Sequence, residues 1–224
     1  MWKNVFAVPK QTIQDLQRQL RGRFPGAILE LGKMTDSGVA EFSLEDPETF
    51  PCGGITEVVP ARPVAVFSLF FAHLLSREPG ATGEVPELAL IDGRDSFDPT
   101  AFTAGDCAKL LWVRCRTPEE SVKAADLILR DGNVPRVILD LSGFPVAEAG
   151  RIPASSWHRL RSLVETCRTR LIALCPRPVV PCALLRLTLD ADFTLEHLSW
   201  PREDLIRRLR ASPSLARGCA ANGS

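Results

Sequence analysis

The sequence predicts an α/β protein with a mainly parallel central sheet flanked by helices. Short, mainly apolar runs recur along the chain, at 55–59, 88–91, 110–113, 137–140 and 171–174, and the run at 88–91 is unbroken. Runs of this length are typical of strands that are buried on both faces of a parallel sheet. Helical segments separate the runs, which is the order expected for such a sheet. The chain has 224 residues, 45% of them hydrophobic, so it is large enough to bury one good core.

Residues 1–33 are predicted to form an N-terminal arm of one short helix and one short strand. The helix spans 11–22, and its apolar stripe consists of Ile13, Leu16 and Leu20. A single helix of this length is marginal in water, so we expect the stripe to pack on a partner. Residues 32–53 are polar and rich in turn-forming residues, which predicts a connector with a short strand at 39–42.

The predicted core, 34–198, is organised around a buried strand, a tight loop and a buried helix at 57–72. Pro63 suits the first position of that helix, which is apolar nearly all round to residue 76. A second helix begins at Thr117, Pro118 and Glu120, which form a favourable start signal. A third begins at 155–156, and a sixth strand is predicted at 183–189 with an extension at 193–195.

Residues 199–224 are predicted to form a short basic helix and a disordered tail. The helix spans 201–210, is closed by Pro213, and carries apolar side chains between arginines, namely Leu205, Ile206 and Leu209. A short amphipathic basic helix suits docking into a groove on an acidic partner. The alternative is that the helix folds back on the domain through Trp200.

Several kinds of site and location are disfavoured by composition. No apolar run is long enough to span a membrane, and the N-terminus lacks the apolar region of a signal peptide. Seven cysteines without a C-x-x-C pair fit reduced thiols in the cytoplasm. The three histidines lie far apart in sequence, which argues against a metal site. We therefore expect no metal, no cofactor and a cytoplasmic location, with association with the nucleoid left open.

Charge is unevenly distributed along a chain of zero net charge. Residues 34–150 carry a net charge of −10, whereas residues 151–186 carry +6. Such asymmetry marks either a surface for an anionic partner or an ordinary solvated helix face. The candidate nucleic-acid contacts are Arg151, Arg159, Arg161, Arg168, Arg170 and Arg177.

Five segments in order resemble the RecA recombinase family over roughly residues 11–192. They are the helix and turn at 16–31, GGITEVV at 53–59, IDGRDSFDP at 91–99, AADLILRDG at 124–132 and VILD at 137–140. The resemblance implies a RecA-like P-loop NTPase fold. It also implies that the helix near 155–168 and its flanking loops face DNA, and that the N-terminal helix docks on an adjacent subunit.

The departures from the family pattern fall on its chemistry, which indicates a degenerate Walker A loop. The family motif G-x-x-x-x-G-K-[ST] supplies phosphate contacts, and its specified positions are here occupied by Pro60, Ala65, Val66 and Phe67. Arg94 stands where the family has its catalytic carboxylate, and the Walker B-like Asp140 is retained. Phosphoryl transfer depends on positioning and charge stabilisation, so we expect no catalytic residue and no ATPase activity.

A short, ATPase-degenerate RecA relative is similar to the ImuA-like proteins, which are linked to SOS-induced translesion synthesis. The resemblance implies a non-catalytic scaffold in DNA-damage tolerance. It implies as partners an ImuB-like polymerase subunit or another RecA-like protein, with single-stranded DNA as a further candidate. A small homo-oligomer or hetero-complex is expected, because a site that binds no ATP would not stabilise a filament.

Two other functions remain open from the sequence. The first is an adaptor or inhibitor of division or replication proteins that binds no nucleic acid. The second is an ATPase or other enzyme with a non-standard site built from Asp92, Asp95 and Asp140. These carboxylates end predicted strands, which is where α/β sheets hold ligands.

Overall fold

The structure is a computed structural model that describes residues 50–62, 66–77 and 86–215. These residues form seven strands: β1 (Ile55–Pro60), β2 (Leu88–Gly93), β3 (Leu110–Cys115), β4 (Arg136–Asp140), β5 (Arg170–Leu174), β6 (Leu185–Ala191) and β7 (Leu209–Leu215). All seven belong to one sheet in the order β3-β2-β4-β5-β1-β6-β7. Every neighbouring pair is parallel except β6 and β7. The predicted α/β class with a mainly parallel sheet is confirmed.

Within the described residues, six α-helices and two 3₁₀ helices connect and cover the strands. The α-helices are α1 (Val66–Arg77), α2 (Ala104–Ala108), α3 (Pro118–Asp131), α4 (Val146–Ala149), α5 (Ala154–Cys167) and α6 (Arg202–Ile206), and the 3₁₀ helices are Pro99–Ala101 and Leu195–Ser199. In α3 the hydroxyl of Thr117 accepts a hydrogen bond from the Glu120 N–H at 3.2 Å. Gly132 ends this helix with φ of 71°, a left-handed conformation that favours glycine.

Both faces of the sheet are buried, as the mainly apolar runs predicted. On β4, Val137 and Leu139 pack into the core under α3 and α5. Ile138 points to the other face, where it joins Phe70 and Leu75 of α1. Successive side chains of a strand point to opposite faces. A strand covered on both sides therefore has no polar alternation, and helices must cover each face.

The C-terminal prediction is wrong in its secondary structure. Helix α6 ends at Ile206, and Leu209 begins β7, which pairs antiparallel with β6. Leu209 and Ala211 are buried, which is the period-2 spacing of a strand. Pro213 does not end the structure but lies within β7 on the sheet edge, a position that tolerates a residue without an N–H. Ser214 and Leu215 of the predicted disordered tail therefore belong to β7, and the prediction for residues 216–224 lies outside the described residues.

Smaller differences concern the starts of elements. Helix α5 begins at Ala154 with Pro153 at its N-cap, rather than at the predicted serine cap. No strand forms at 193–195, because a 3₁₀ helix begins at Leu195. The predictions for residues 1–49 and for Pro63 lie outside the described residues. Within the described ranges, no helix combines the length and the hydrophobicity needed to cross a membrane.

Candidate functional site

A cleft of about 550 Å³ lies along the carboxyl edge of the sheet. Its floor is made by the ends of β1, β2, β4 and β5, and its sides by α1 and the loop that follows β2. This is the edge at which open α/β sheets hold their ligands. The described lining residues are Pro60, Phe67, Ser68, Leu69, Phe71, Leu90, Ser96, Phe97, Asp98, Ala101, Phe102, Asp140, Ser142, Gly143, Leu174, Pro176 and Arg202.

The loop after β1 brings no cationic side chain to the described part of the cleft. Pro60 and Phe67 line it, whereas Val66, the first residue of α1, is fully buried in the core. Arg62 turns away and donates to the Asp190 carboxylate at 2.8 Å and to the Ala191 carbonyl at 2.9 Å. Ala65 is not among the described residues.

Asp140 lies at the end of β4, partly buried, with one carboxylate oxygen already bonded. Its Oδ1 accepts hydrogen bonds from the N–H and the hydroxyl of Ser142 at 2.8 and 2.6 Å. Burial raises the pKa of this carboxyl to about 6, with a smaller contribution from the charge of Asp92, although the Ser142 bonds oppose the shift. Near neutral pH, Asp140 is therefore an ionised carboxylate, and a nearby cation or hydrogen-bond donor would stabilise its charge.

Asp92 is fully buried at the end of β2, where it organises the next loop. Its Oδ1 accepts from the N–H and hydroxyl of Ser96 at 2.8 and 3.1 Å. Its Oδ2 accepts from the Phe97 N–H and from the Trp112 indole N–H, both at 3.0 Å. Donors therefore saturate both oxygens, and this carboxylate fixes the loop that carries Phe97 and Asp98 into the cleft lining.

Arg94 and Asp95 occupy the tight turn at the start of that loop, with φ of 78° and 55°. The Arg94 guanidinium lies 5.4 Å from the Phe144 ring centroid, and Asp95 forms an ion pair with Arg114 on β3. Neither side chain lines the cleft. Gly93 precedes the turn, and a side chain there would collide with Phe144 and with the Asp140 carbonyl.

Four rings line the cleft, and we call them the phenylalanine wall: Phe67, Phe71, Phe97 and Phe102. Phe71 meets Phe97 and Phe102 edge to face, with ring centroids 5.3 and 5.8 Å apart. Trp112 packs edge to face behind Phe97 at 5.1 Å. Arg202, at the start of α6, places its guanidinium 4.7 Å from the Phe102 ring centroid. The motif positions did not predict this wall, because two of its rings belong to the loop after β2.

Glu57 is a second fully buried carboxylate that the sequence did not single out as a site. It accepts from the N–H groups of Val179 and Val180, the latter at 2.8 Å, and forms an ion pair with Arg186 at 2.6 Å. The sequence did contain an indication of this role, because an acidic residue inside a buried strand needs hydrogen-bonding or charged partners. Glu57 therefore anchors the β5–β6 loop to the sheet.

Cys175, which directly follows β5, is fully buried. Burial, reinforced by the Glu57 charge, raises the pKa of its thiol well above the ordinary value. The thiolate is the nucleophilic form of cysteine, so this residue is an inert core side chain.

The six candidate arginines do not lie at one place on the fold. Arg151 and Arg177 lie in the connections that follow β4 and β5, at the carboxyl edge, whereas Arg168 caps the end of α5 and Arg170 begins β5, at the opposite edge. The other two arginines belong to α5 and form ion pairs within the chain, Arg159 with Asp126 at 2.6 Å and Arg161 with Glu165 at 2.8 Å. In addition, Arg170 donates to the Phe50 carbonyl at 3.1 Å.

The described candidate partner-binding residues lie in two different elements. Leu205 and Ile206 are half-buried on α6, and Leu209 is 5% exposed in β7, where it packs in the core beneath α1. The residues proposed for the N-terminal stripe, Ile13, Leu16 and Leu20, fall in the part of the chain that the structure does not describe.

The described residues contain no group of three or more histidine, cysteine or acidic side chains arranged to hold a metal ion. A scan against protein-family models and a search of curated proteins found no match to this chain.

Proposed function

We propose that the chain is a non-catalytic scaffold with a degenerate RecA-like fold that serves bacterial DNA-damage tolerance. The observation that carries the proposal is the occupation of the phosphate-binding positions by apolar side chains. Val66 is buried in the core and Phe67 lines the cleft, where a P-loop would present a lysine and a hydroxyl. The order of the segments from GGITEVV to VILD supports the RecA-like identity.

The charge of the cleft also argues against a nucleotide. Arg202 is the one cation among its described lining residues, and two carboxylates, Asp98 and Asp140, share that lining. A triphosphate needs cationic side chains, backbone N–H groups or metal ions to offset its charge. The Arg202 guanidinium lies over Phe102. The described lining of the cleft offers no second cationic side chain for the remaining phosphates.

An enzyme built on the three carboxylates has less support. Asp92 has donors on both oxygens, and Asp95 is an exposed partner of Arg114. A general acid or base must reach its substrate with a free proton site. Among these three residues, only Asp140 lines the cleft.

The scaffold role can be tested in a bacterium that carries this chain. The tagged full-length protein should co-purify with an ImuB-like polymerase subunit after DNA damage. Deletion of its gene should lower the frequency of damage-induced mutations. An unchanged mutation frequency in the deletion strain would contradict the proposed role.

The second candidate is a protein adaptor that binds no nucleic acid, and the distribution of the arginines favours it. Two of the six form ion pairs within the chain, and the others divide between opposite edges of the sheet. Fluorescence anisotropy with single-stranded DNA at two salt concentrations separates the candidates, because phosphate contacts make affinity fall steeply with salt. Salt-dependent binding that an Arg161→Glu, Arg168→Glu double variant abolishes would favour the DNA-bound scaffold. Absence of binding would favour the adaptor.

A further inference from the structure

The cleft combines an aromatic wall with a carboxylate that has one oxygen without a donor. Both Ser142 donors bond Oδ1 of Asp140, and among the described residues none donates to Oδ2. A partly buried carboxylate oxygen gains from a charged N–H donor, because charge-assisted hydrogen bonds are the stronger kind. The cleft therefore offers a hydrogen-bonding position for a ligand at the end of β4.

The wall itself is suited to positive charge. The face of an aromatic ring is negative and attracts cations, and the chain already places the Arg202 guanidinium 4.7 Å from the Phe102 ring centroid. Asp140 lines the cleft from the end of β4, with Ser142, whereas Arg202 lines it from the start of α6 and lies over Phe102.

We propose that this cleft binds a small organic cation, whose ammonium contacts Asp140 and whose apolar or aromatic body lies along the phenylalanine wall. A volume of about 550 Å³ suits a ligand of that size. The inference rests on the proposed absence of nucleotide from the same cleft. It assigns to the cleft a ligand of opposite charge to a nucleotide.

Three probes of matched shape test the proposal on the full-length protein: phenethylammonium, 2-phenylethanol and hydrocinnamate. Ligand-observed NMR titrations give the dissociation constant of each. We expect phenethylammonium to bind at least about tenfold more tightly than the alcohol and the anion. Equal binding of the three, tighter binding of the anion, or no binding of any probe would overturn the proposal.

Two matched variants locate the effect. Asp140→Asn removes the charge but keeps the shape, and it should bring the dissociation constant of phenethylammonium to that of the alcohol. Asp131→Asn removes an exposed charge at the end of α3, away from the cleft lining, and should leave the preference intact. A preference that survives in Asp140→Asn would overturn the assignment of the ammonium. The probe comparison on the unaltered protein decides the proposal even if a variant folds poorly.

Competition with ATP·Mg²⁺ separates this inference from the proposed function. If ATP displaces the bound probe, the cleft accepts nucleotide and the proposed function fails, whereas a measured preference for the ammonium still supports the cation site. If neither probe nor ATP binds, the inference fails and the scaffold proposal stands.

Discussion

Asp92 of β2 and Asp140 of β4 are register partners in the sheet, so two carboxylates stand side by side at its carboxyl edge. Their different surroundings give the two carboxylates different roles. Asp92 is fully buried and saturated by donors from the following loop and from Trp112. Asp140 keeps one oxygen for the cleft, and its pKa is raised by burial and by the charge of its neighbour.

The raised pKa of Asp140 predicts how a substitution there depends on pH. Between the ordinary pKa of 3.8 and about 6, the native state holds a proton that the unfolded state has released. Stability therefore falls as pH rises through that window, and ionised Asp140 destabilises the fold above it. Asp140→Asn should raise the free energy of unfolding at pH 7.5 by at least about 1 kcal/mol more than at pH 4. Urea unfolding at both pH values measures the difference, and an equal effect at the two would contradict this account.

Asp92→Asn should destabilise the fold and loosen the loop at 94–98. An amide nitrogen in place of one carboxylate oxygen would face N–H donors, which leaves buried groups unsatisfied. We expect a loss of about 2 kcal/mol in the free energy of unfolding. Asp95→Asn is the matched control three residues away, since that carboxylate is exposed beside Arg114. Equal losses in the two variants would show that Asp92 does not hold the loop.

Glu57→Ala should cause the largest loss of stability of the substitutions considered, because it leaves Arg186 and two N–H groups without their partner. Breaking a buried ion pair costs about 3 kcal/mol or more. Glu165→Ala removes the carboxylate of a surface pair with Arg161 and should cost less than about 1 kcal/mol. Urea unfolding of both variants compares them. A Glu57→Ala loss as small as that of the control would mean that the β5–β6 loop is held by other contacts.

Most of the sheet could be predicted from the sequence because β1 to β5 contain short, mainly apolar runs separated by helical segments. Strand β7 could not, because Leu205, Ile206 and Leu209 fit a helical stripe as well as they fit a helix followed by a strand. What decides between them is pairing with β6, a contact between distant segments that local periodicity does not contain.

The site was predicted in part. Asp140 and Phe67 do line the cleft at the carboxyl edge, as the positions of the motifs indicated. The loop geometry set by Asp92 brings Phe97 and Phe102 to Phe71, and α6 adds Arg202 from far along the chain. These approaches depend on tertiary contacts, so neither spacing nor composition predicted the aromatic character of the cleft.

The most direct test of the central claim is a calorimetric titration of the full-length protein with ATP·Mg²⁺, followed by an assay for phosphate release. With Phe67 in the lining and Val66 in the core, we predict no heat of binding and no turnover. Micromolar binding, or phosphate release that is lost in Asp140→Ala, would contradict the account of the chain as a non-catalytic scaffold.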